Sequence, residues 1–194
     1  QRMLARDQIA SVCVPNATVL FSQAPMAERP TILYVGRLEK IKGVQVLLDA
    51  LRSVREEYPD AELLVAGAGP YEPVLRSQVK LLELDDVVRF VGQVGREELY
   101  EYYKASAVVA VPSLWPEPFG KVGIEAMSVG RPVIASNVGG MSEWLDDGIT
   151  GYVVTPGSPK ELGEALCRVL RNRDRRATMG AAARARAEAF SIEA

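Results

Sequence analysis

Six times along the chain a short apolar run gives way, within a few residues, to a longer stretch whose apolar positions recur every three or four residues. The runs are TILYVG (31–36), AELLVAG (61–67), VVRFVG (87–92), AVVAVPS (107–113), RPVIAS (131–136) and GYVVTP (151–156). Each is short, rich in β-branched residues and bounded by Gly, Pro or Ser, which is the signature of a buried strand. A strand that is apolar on both sides needs cover on both faces, and helices packed on a parallel sheet supply it. Short links between unlike elements then leave right-handed crossovers as the economical topology. The expectation is an α/β fold: a Rossmann-like three-layer α/β/α domain with a mostly parallel sheet of about six strands, and ligands at the strands' carboxyl ends.

The intervening stretches fit that plan. KGVQVLLDALRSVREEYP (42–59) spaces Val44, Leu47, Leu48, Leu51 and Val54 along one helical face and is closed by Pro59. PYEPVLRSQVKLLEL (70–84) reads as a helix with Pro70 in its first turn. REELYEYYKAS (96–106) and GGMSEWLDDG (139–148) read as short helices. SPKELGEALCRVLRN (158–172) opens on Ser158 with Glu161 three residues on, a capping box. DRRATMGAAARARAEAF (174–190) is a last helix. By contrast SVCVPNATVLFSQAPMAERP (11–30) has one short apolar run and three prolines. It reads as an arm leading into the sheet, so the chain divides into a linker over 1–29 and a domain over 30–194.

Composition narrows the function. The formal net charge is −2 and no basic block is present, so binding to nucleic acid through phosphate neutralisation is not expected. Histidine is absent, and the two cysteines, Cys13 and Cys167, lack metal-ligand spacing. That argues against a zinc site or a disulfide framework and for free thiols in a reducing compartment. No apolar run approaches the roughly 18 residues of a membrane span, and the first residues have no leader-like apolar core. A cytoplasmic location is expected. A start at Gln1 rather than Met reads as a chain cut from something longer.

Three groups of polar residues and glycines fall at strand ends. The first, GRLEKIKG, offers Gly36, Arg37, Lys42 and Gly43 in a loop that opens a helix. Either cation alone is an ordinary surface charge, but together in that position they suit an anion: Arg forks onto two phosphate oxygens and Lys adds a point charge. The second, GAGP from Gly67, superficially resembles a dinucleotide fingerprint. Its third glycine is missing, with Glu72 in that place, and it follows the second strand; a tight strand-to-helix turn is the plainer reading. The third, EPFGKVGIEAMSVGRPVIASNVGG (117–140), holds two carboxylates, Glu117 and Glu125, on either side of a glycine loop. The N–H groups of Phe119, Gly120, Lys121 and Val122 lie at the start of the helix that carries Glu125, which makes an anion site of backbone and dipole. A carboxylate accepts two O–H donors well and so suits a vicinal diol. Two carboxylates bracketing a phosphate cradle fit a ligand shaped ribose–diphosphate–sugar.

Taken together, EPFGKVGIE with its E-x7-E spacing, AMSVGRPVIASNVGG, DGITGYVV, VGRLEKIKG, VAGAGP, VRFVGQV and VPSLWPEPFG strongly resemble family 4 of the retaining glycosyltransferases, whose GT-B fold has two Rossmann-like domains. The resemblance covers nearly the whole chain, from VPNA to AFSIEA, with Ala17 where the family usually has Gly. It implies roles by position. Glu117 would contact the transferred sugar, and Glu125 would hold the ribose. Arg37 and Lys42 would neutralise the diphosphate. The backbone of Phe119, Gly120, Lys121 and Val122 would meet sugar and phosphate, with Gly36 and Gly67 in the adjoining loops. Val91, Gly92, Gln93 and Val94 would meet the base. The resemblance implies a UDP- or GDP-hexose donor, no cofactor and no metal, and the sequence has no Asp-x-Asp. It also implies that the chain is the C-terminal, donor-binding half, with an N-terminal acceptor domain elsewhere through which the protein could sit at a membrane surface. A non-catalytic sugar-nucleotide-binding module is the first alternative. A nicotinamide-dependent oxidoreductase domain and a sugar-nucleotide epimerase follow from the sheet alone.

Overall fold

A computed structural model describes residues 18–192 of the chain; Cys13 and the linker residues Pro15, Asn16 and Ala17 lie outside them. The strands are β1 (Thr31–Val35), β2 (Glu62–Ala66), β3 (Val88–Gly92), β4 (Val108–Val111), β5 (Val133–Ser136) and β6 (Gly151–Val154). They form one parallel sheet in the order β3-β2-β1-β4-β5-β6. The chain builds outward from β1 to one edge, returns to pair β4 with β1 through Ile32↔Val108 and Leu33↔Val109, and builds outward to the other edge. Where the order reverses, the connections after β1 and β4 lead to helices on opposite faces, and a crevice opens at the carboxyl ends of the strands.

The helices are α1 (Val44–Glu57), α2 (Glu72–Leu81), α3 (Arg96–Ala105), α4 (Lys121–Ser128), α5 (Pro159–Leu170) and α6 (Arg173–Glu188). Successive strand residues feed opposite layers, as the two-residue period requires. Ile32, Leu63, Val65, Val108 and Ile134 pack with α1, α2 and α5 on one face. Leu33, Leu64, Val109, Val133 and Ala135 pack on the other with Tyr103 of α3 and Ile124, Ala126 and Met127 of α4. Burying each large aliphatic side chain contributes about 1.5–3 kcal/mol.

Local signals place the ends. Ser158 caps α5 by accepting from the Glu161 N–H. The reciprocal half of the expected capping box is absent: Glu161 instead accepts from the Thr155 N–H at 2.9 Å. Asn172 caps α6 by accepting from the Arg175 N–H, so that helix starts at Arg173. Pro70 stands ahead of α2 rather than in its first turn, and Pro73 occupies the early helical position where a missing N–H costs nothing. GGMSEWLDDG yields only a 3₁₀ turn, Gly139–Glu143, because Trp144 leaves the helical path to pack under α4.

Residues 18–30 run irregularly but pack closely on the domain. Phe21 is buried, its N–H donates to Ser128 Oγ at 3.0 Å, and its ring stacks on Tyr100. Arg131 is fully buried and donates to the carbonyls of Tyr103 and Pro25 at 2.9 and 2.6 Å. Burial lowers its pKa to about 10, so it remains a cation at neutral pH. Among the described residues no helix is long and apolar enough to cross a membrane.

Candidate nucleotide-sugar site

The loops after β1 and β4 meet at the topological crevice. Gly43 takes φ +76 between a 3₁₀ turn (Lys40–Lys42) and α1, and a Cβ there would overlap the Pro112 carbonyl just beyond β4. The Leu114 N–H donates to the Ile41 carbonyl at 2.8 Å and ties the two loops together. This brings Lys42 to Glu117, seventy-five residues away: Lys42 Nζ donates to Glu117 Oε1, and Ser113 Oγ donates to the same oxygen at 2.8 Å.

The backbone carrying Glu117 is held from below. The Gly140 N–H donates to the Glu117 carbonyl at 3.0 Å, and a Cβ on Gly139, at φ +56, would overlap that carbonyl. Gly120, at φ +74, turns the chain into α4 with no side-chain cap, which leaves the first N–H groups of the helix to an outside partner. Trp144 fixes this entry. Its Nε1–H donates to the Phe119 carbonyl, and its ring fills the space beside Gly123 where a side chain would otherwise stand.

These parts enclose a cavity of about 360 Å³ lined by Gly36, Arg37, Lys42, Ser113, Glu117 and the 118–122 loop, with Tyr34 at its wall. Tyr34 is buried and donates to the Arg37 carbonyl at 2.9 Å. Burial, with the charges of Glu117 and Glu39 nearby, keeps its phenol protonated far above neutral pH. A second cavity of about 380 Å³ shares Gly36 and Arg37 with the first and continues past Gly67, Gln93 and Val94. A charged, water-accessible chamber beside a more neutral one is an arrangement that can hold an elongated ligand with an anionic centre at Arg37.

Residues 18–186 match the family model described as glycosyl transferases group 1. The chain belongs to the group 1 glycosyl transferases. It is 36% identical over 167 residues to a D-inositol 3-phosphate glycosyltransferase of Corynebacterium kroppenstedtii, covering 82% of this chain and 37% of that protein. Identity is also 36% over 165 residues with a GDP-mannose-dependent alpha-(1-6)-phosphatidylinositol monomannoside mannosyltransferase of Mycobacterium tuberculosis, covering 82% of this chain and 43% of that protein. The fold superposes with a TM-score of 0.80 on Anabaena Alr3699/HepE in complex with UDP and glucose, at 30% identity, covering 85% of this chain and 45% of that one. The chain thus spans about two-fifths of the length of the curated relatives it matches.

Within this group 1 glycosyl transferase domain the sequence-predicted residues fall into five places. Gly36, Arg37, Lys42, Glu117, Phe119, Gly120, Lys121 and Val122 line the first cavity, and Gly67, Gln93 and Val94 line the second. Gly92 ends β3 beside the second cavity, with its carbonyl accepting from the Gly67 N–H at 2.7 Å. Val91 does not join them. It lines a separate cleft with Leu64, Arg89 and Tyr102. Glu125 lies one turn inside α4 and lines neither cavity; its Oε2 accepts from the Tyr103 hydroxyl at 3.2 Å. GAGP serves as a tight turn. Cβ atoms on Gly67 and Gly69 would overlap the carbonyls of Gly36 and Leu38, so these glycines let two loops touch.

Sequence reasoning missed Ser113, Tyr34 and Tyr103. An uncharged residue at a strand end or on a helix carries no distinctive pattern. The available signal was position: Ser113 stands just beyond β4, two residues after its last paired residue, Val111.

Proposed function

We propose that this chain is the donor-binding domain of a retaining glycosyltransferase that takes a nucleoside diphosphate sugar. One observation carries the reading: Arg37, Lys42, Glu117 and the uncapped start of α4 surround a single cavity at the sheet's switch point. Arg37 and Lys42 hold the diphosphate and stabilise it as it departs, and the α4 backbone adds N–H donors. Glu117, with Ser113 on one oxygen, orients the sugar hydroxyls. The departing diphosphate takes the proton of the incoming hydroxyl on the same face, so retention needs no protein nucleophile and no metal. Glu125 reads the ribose, and the chamber at Gln93 and Val94 takes the base. The UDP and glucose named for the Anabaena relative and the GDP-mannose named for the mycobacterial one support this ligand class and leave both bases in play.

The geometry adds a condition. Lys42 and Glu117 are paired, so an arriving phosphate competes with Glu117 for the ammonium. The donor's charge at Lys42 then frees the Glu117 carboxylate for sugar hydroxyls, and diphosphate and sugar recognition become coupled.

Calorimetric titration with UDP and GDP in EDTA tests the reading. Charge-assisted hydrogen bonds contribute about 1.5–3 kcal/mol, so Lys42→Ala or Arg37→Ala weakens binding by about 10- to 150-fold. Binding that requires a divalent metal, or unchanged affinity in both variants, defeats it. Tighter binding of NAD than of either nucleoside diphosphate points to the oxidoreductase alternative, against which the filled space at Gly67 and Gly69 already weighs.

A further inference from the structure

Glu125 sits where its charge is costly. Burial pushes its carboxyl above the usual carboxylate range, and three groups act against that: the Tyr103 hydroxyl, and the charges of Arg96 and Lys121. Tyr103 and Arg96 come from α3, and Lys121 is the first residue of α4. None of the three is adjacent to Glu125 in sequence, and two have a common support. The buried ring of Phe21 stands 5.6 Å from the Tyr103 ring, and the Arg96 guanidinium lies over the Phe21 ring, 4.2 Å from its centroid. Arg96 is further pinned by donating to the Val19 carbonyl at 3.0 Å. Tyr103 is pinned at its backbone, where its carbonyl accepts from the buried Arg131 at 2.9 Å. Its own side chain is fully buried, and among the described residues its O–H reaches Glu125 Oε2 at 3.2 Å and the Val122 carbonyl at 3.4 Å.

Resting on the reading of Glu125 as the ribose carboxylate, we infer that Tyr103 is a positioning residue, braced by Phe21, whose hydroxyl aims the Glu125 carboxylate at the ligand's diol. A tyrosine suits the task. Its rigid ring fills the core between sheet and helix, and its O–H reaches the half-buried Glu125, the acid of α4. Arg96 and Lys121 supply charge without direction; the hydrogen bond fixes which oxygen of Glu125 is occupied and leaves the other for the ligand.

The test compares Tyr103→Phe with wild type by calorimetry, using UDP and GDP against inorganic pyrophosphate across pH 4.5–8. The ring is kept, so packing is largely retained. The expected result is a loss of about tenfold for the nucleoside diphosphates, the scale of one hydrogen bond to a charged group, with pyrophosphate unchanged. The acid-side weakening of nucleoside diphosphate binding also moves to higher pH, because a carboxylate that loses a donor is harder to ionise. Equal loss for all three ligands with a lowered Tm means a structural role and overturns the inference, as does unchanged affinity with an unmoved acid limb. Glu125→Ala separates the underlying reading: if it leaves nucleoside diphosphate binding intact, the ribose assignment fails. If it selectively weakens nucleoside diphosphates while Tyr103→Phe does not, only the positioning role fails.

Discussion

Glu125, the proposed ribose carboxylate, sets its own charge against stability. Its carboxyl is raised by burial, so the folded state holds its proton to higher pH than the unfolded chain does. The linkage sign follows. Below the unfolded-state value, about 4.3 for Glu, both states are protonated and nothing is lost. As pH rises through the folded-state value, native stability falls, because the unfolded chain ionises without penalty. Glu125→Gln, which keeps an acceptor for Tyr103, therefore raises Tm at pH 7.5, and the gain vanishes by pH 3. Thermal denaturation at the two pH values checks this; a Tm that falls at pH 7.5 contradicts it. Legibility divides at this scale by charge. Arg37, Lys42 and Glu117 could be singled out because charges beside glycines at strand ends are chemically conspicuous. Their pairing could not, since Lys42 and Glu117 meet only through tertiary contact. Ser113, Tyr34 and Tyr103 stayed hidden because their function depends on which acceptor the fold puts in front of them.

At the scale of elements, the turn after β5 acts on the site though it binds nothing in the proposed ligand. Gly139 and Gly140 form the floor under the Glu117 backbone. A Gly139→Ala side chain would carry the left-handed backbone cost of about 1–2 kcal/mol and would also displace the Glu117 carbonyl. The expected outcome is a lower Tm together with a selective loss: affinity for UDP-glucose or GDP-mannose drops toward that of the bare nucleoside diphosphate. Affinity for UDP or GDP changes less, since Arg37 and the α4 start are untouched. A variant that keeps the wild-type preference for sugar over no sugar, measured by competition, refutes the coupling. Strands were readable because a doubly buried strand is a run of apolar residues whatever its neighbours. Element ends were less so. Pro70 and Pro73 are equally good first-turn prolines by local rules, and the Tyr71 N–H bond to the Leu38 carbonyl, made across loops, sets the start of α2 after Pro70. The turn at Gly139 is a 3₁₀ segment because Trp144 is claimed by α4, a contact that no local pattern announces.

For the whole molecule, the parallel sheet and its switch point followed from general rules once six strands were counted, and the crevice they create is where the charged loops meet. What the crevice holds by itself is a cavity with one side open. The Arg37 side chain is 73% exposed and spends part of its charge on Glu39, 3.1 Å away. Its hydrogen bonds to a diphosphate stay open to solvent on one side and fall at the low end of what charge-assisted bonds contribute. The matched relatives carry more than half their length outside the region they share with this chain. Transfer also demands an acceptor hydroxyl held in line at the anomeric carbon, and most of the rate depends on that placement. Water must be kept from the same carbon, which needs a closed cleft. We therefore predict that the 194-residue chain, purified alone, folds and binds a nucleoside diphosphate in roughly the high micromolar to millimolar range, and turns over no sugar. Joining it to the remaining length typical of its relatives should tighten donor binding and restore transfer. The measurement is a transfer assay with a panel of nucleotide sugars and simple acceptors. Sustained multiple-turnover transfer by the isolated chain would sink the prediction, because it would mean that the crevice described here already positions both substrates.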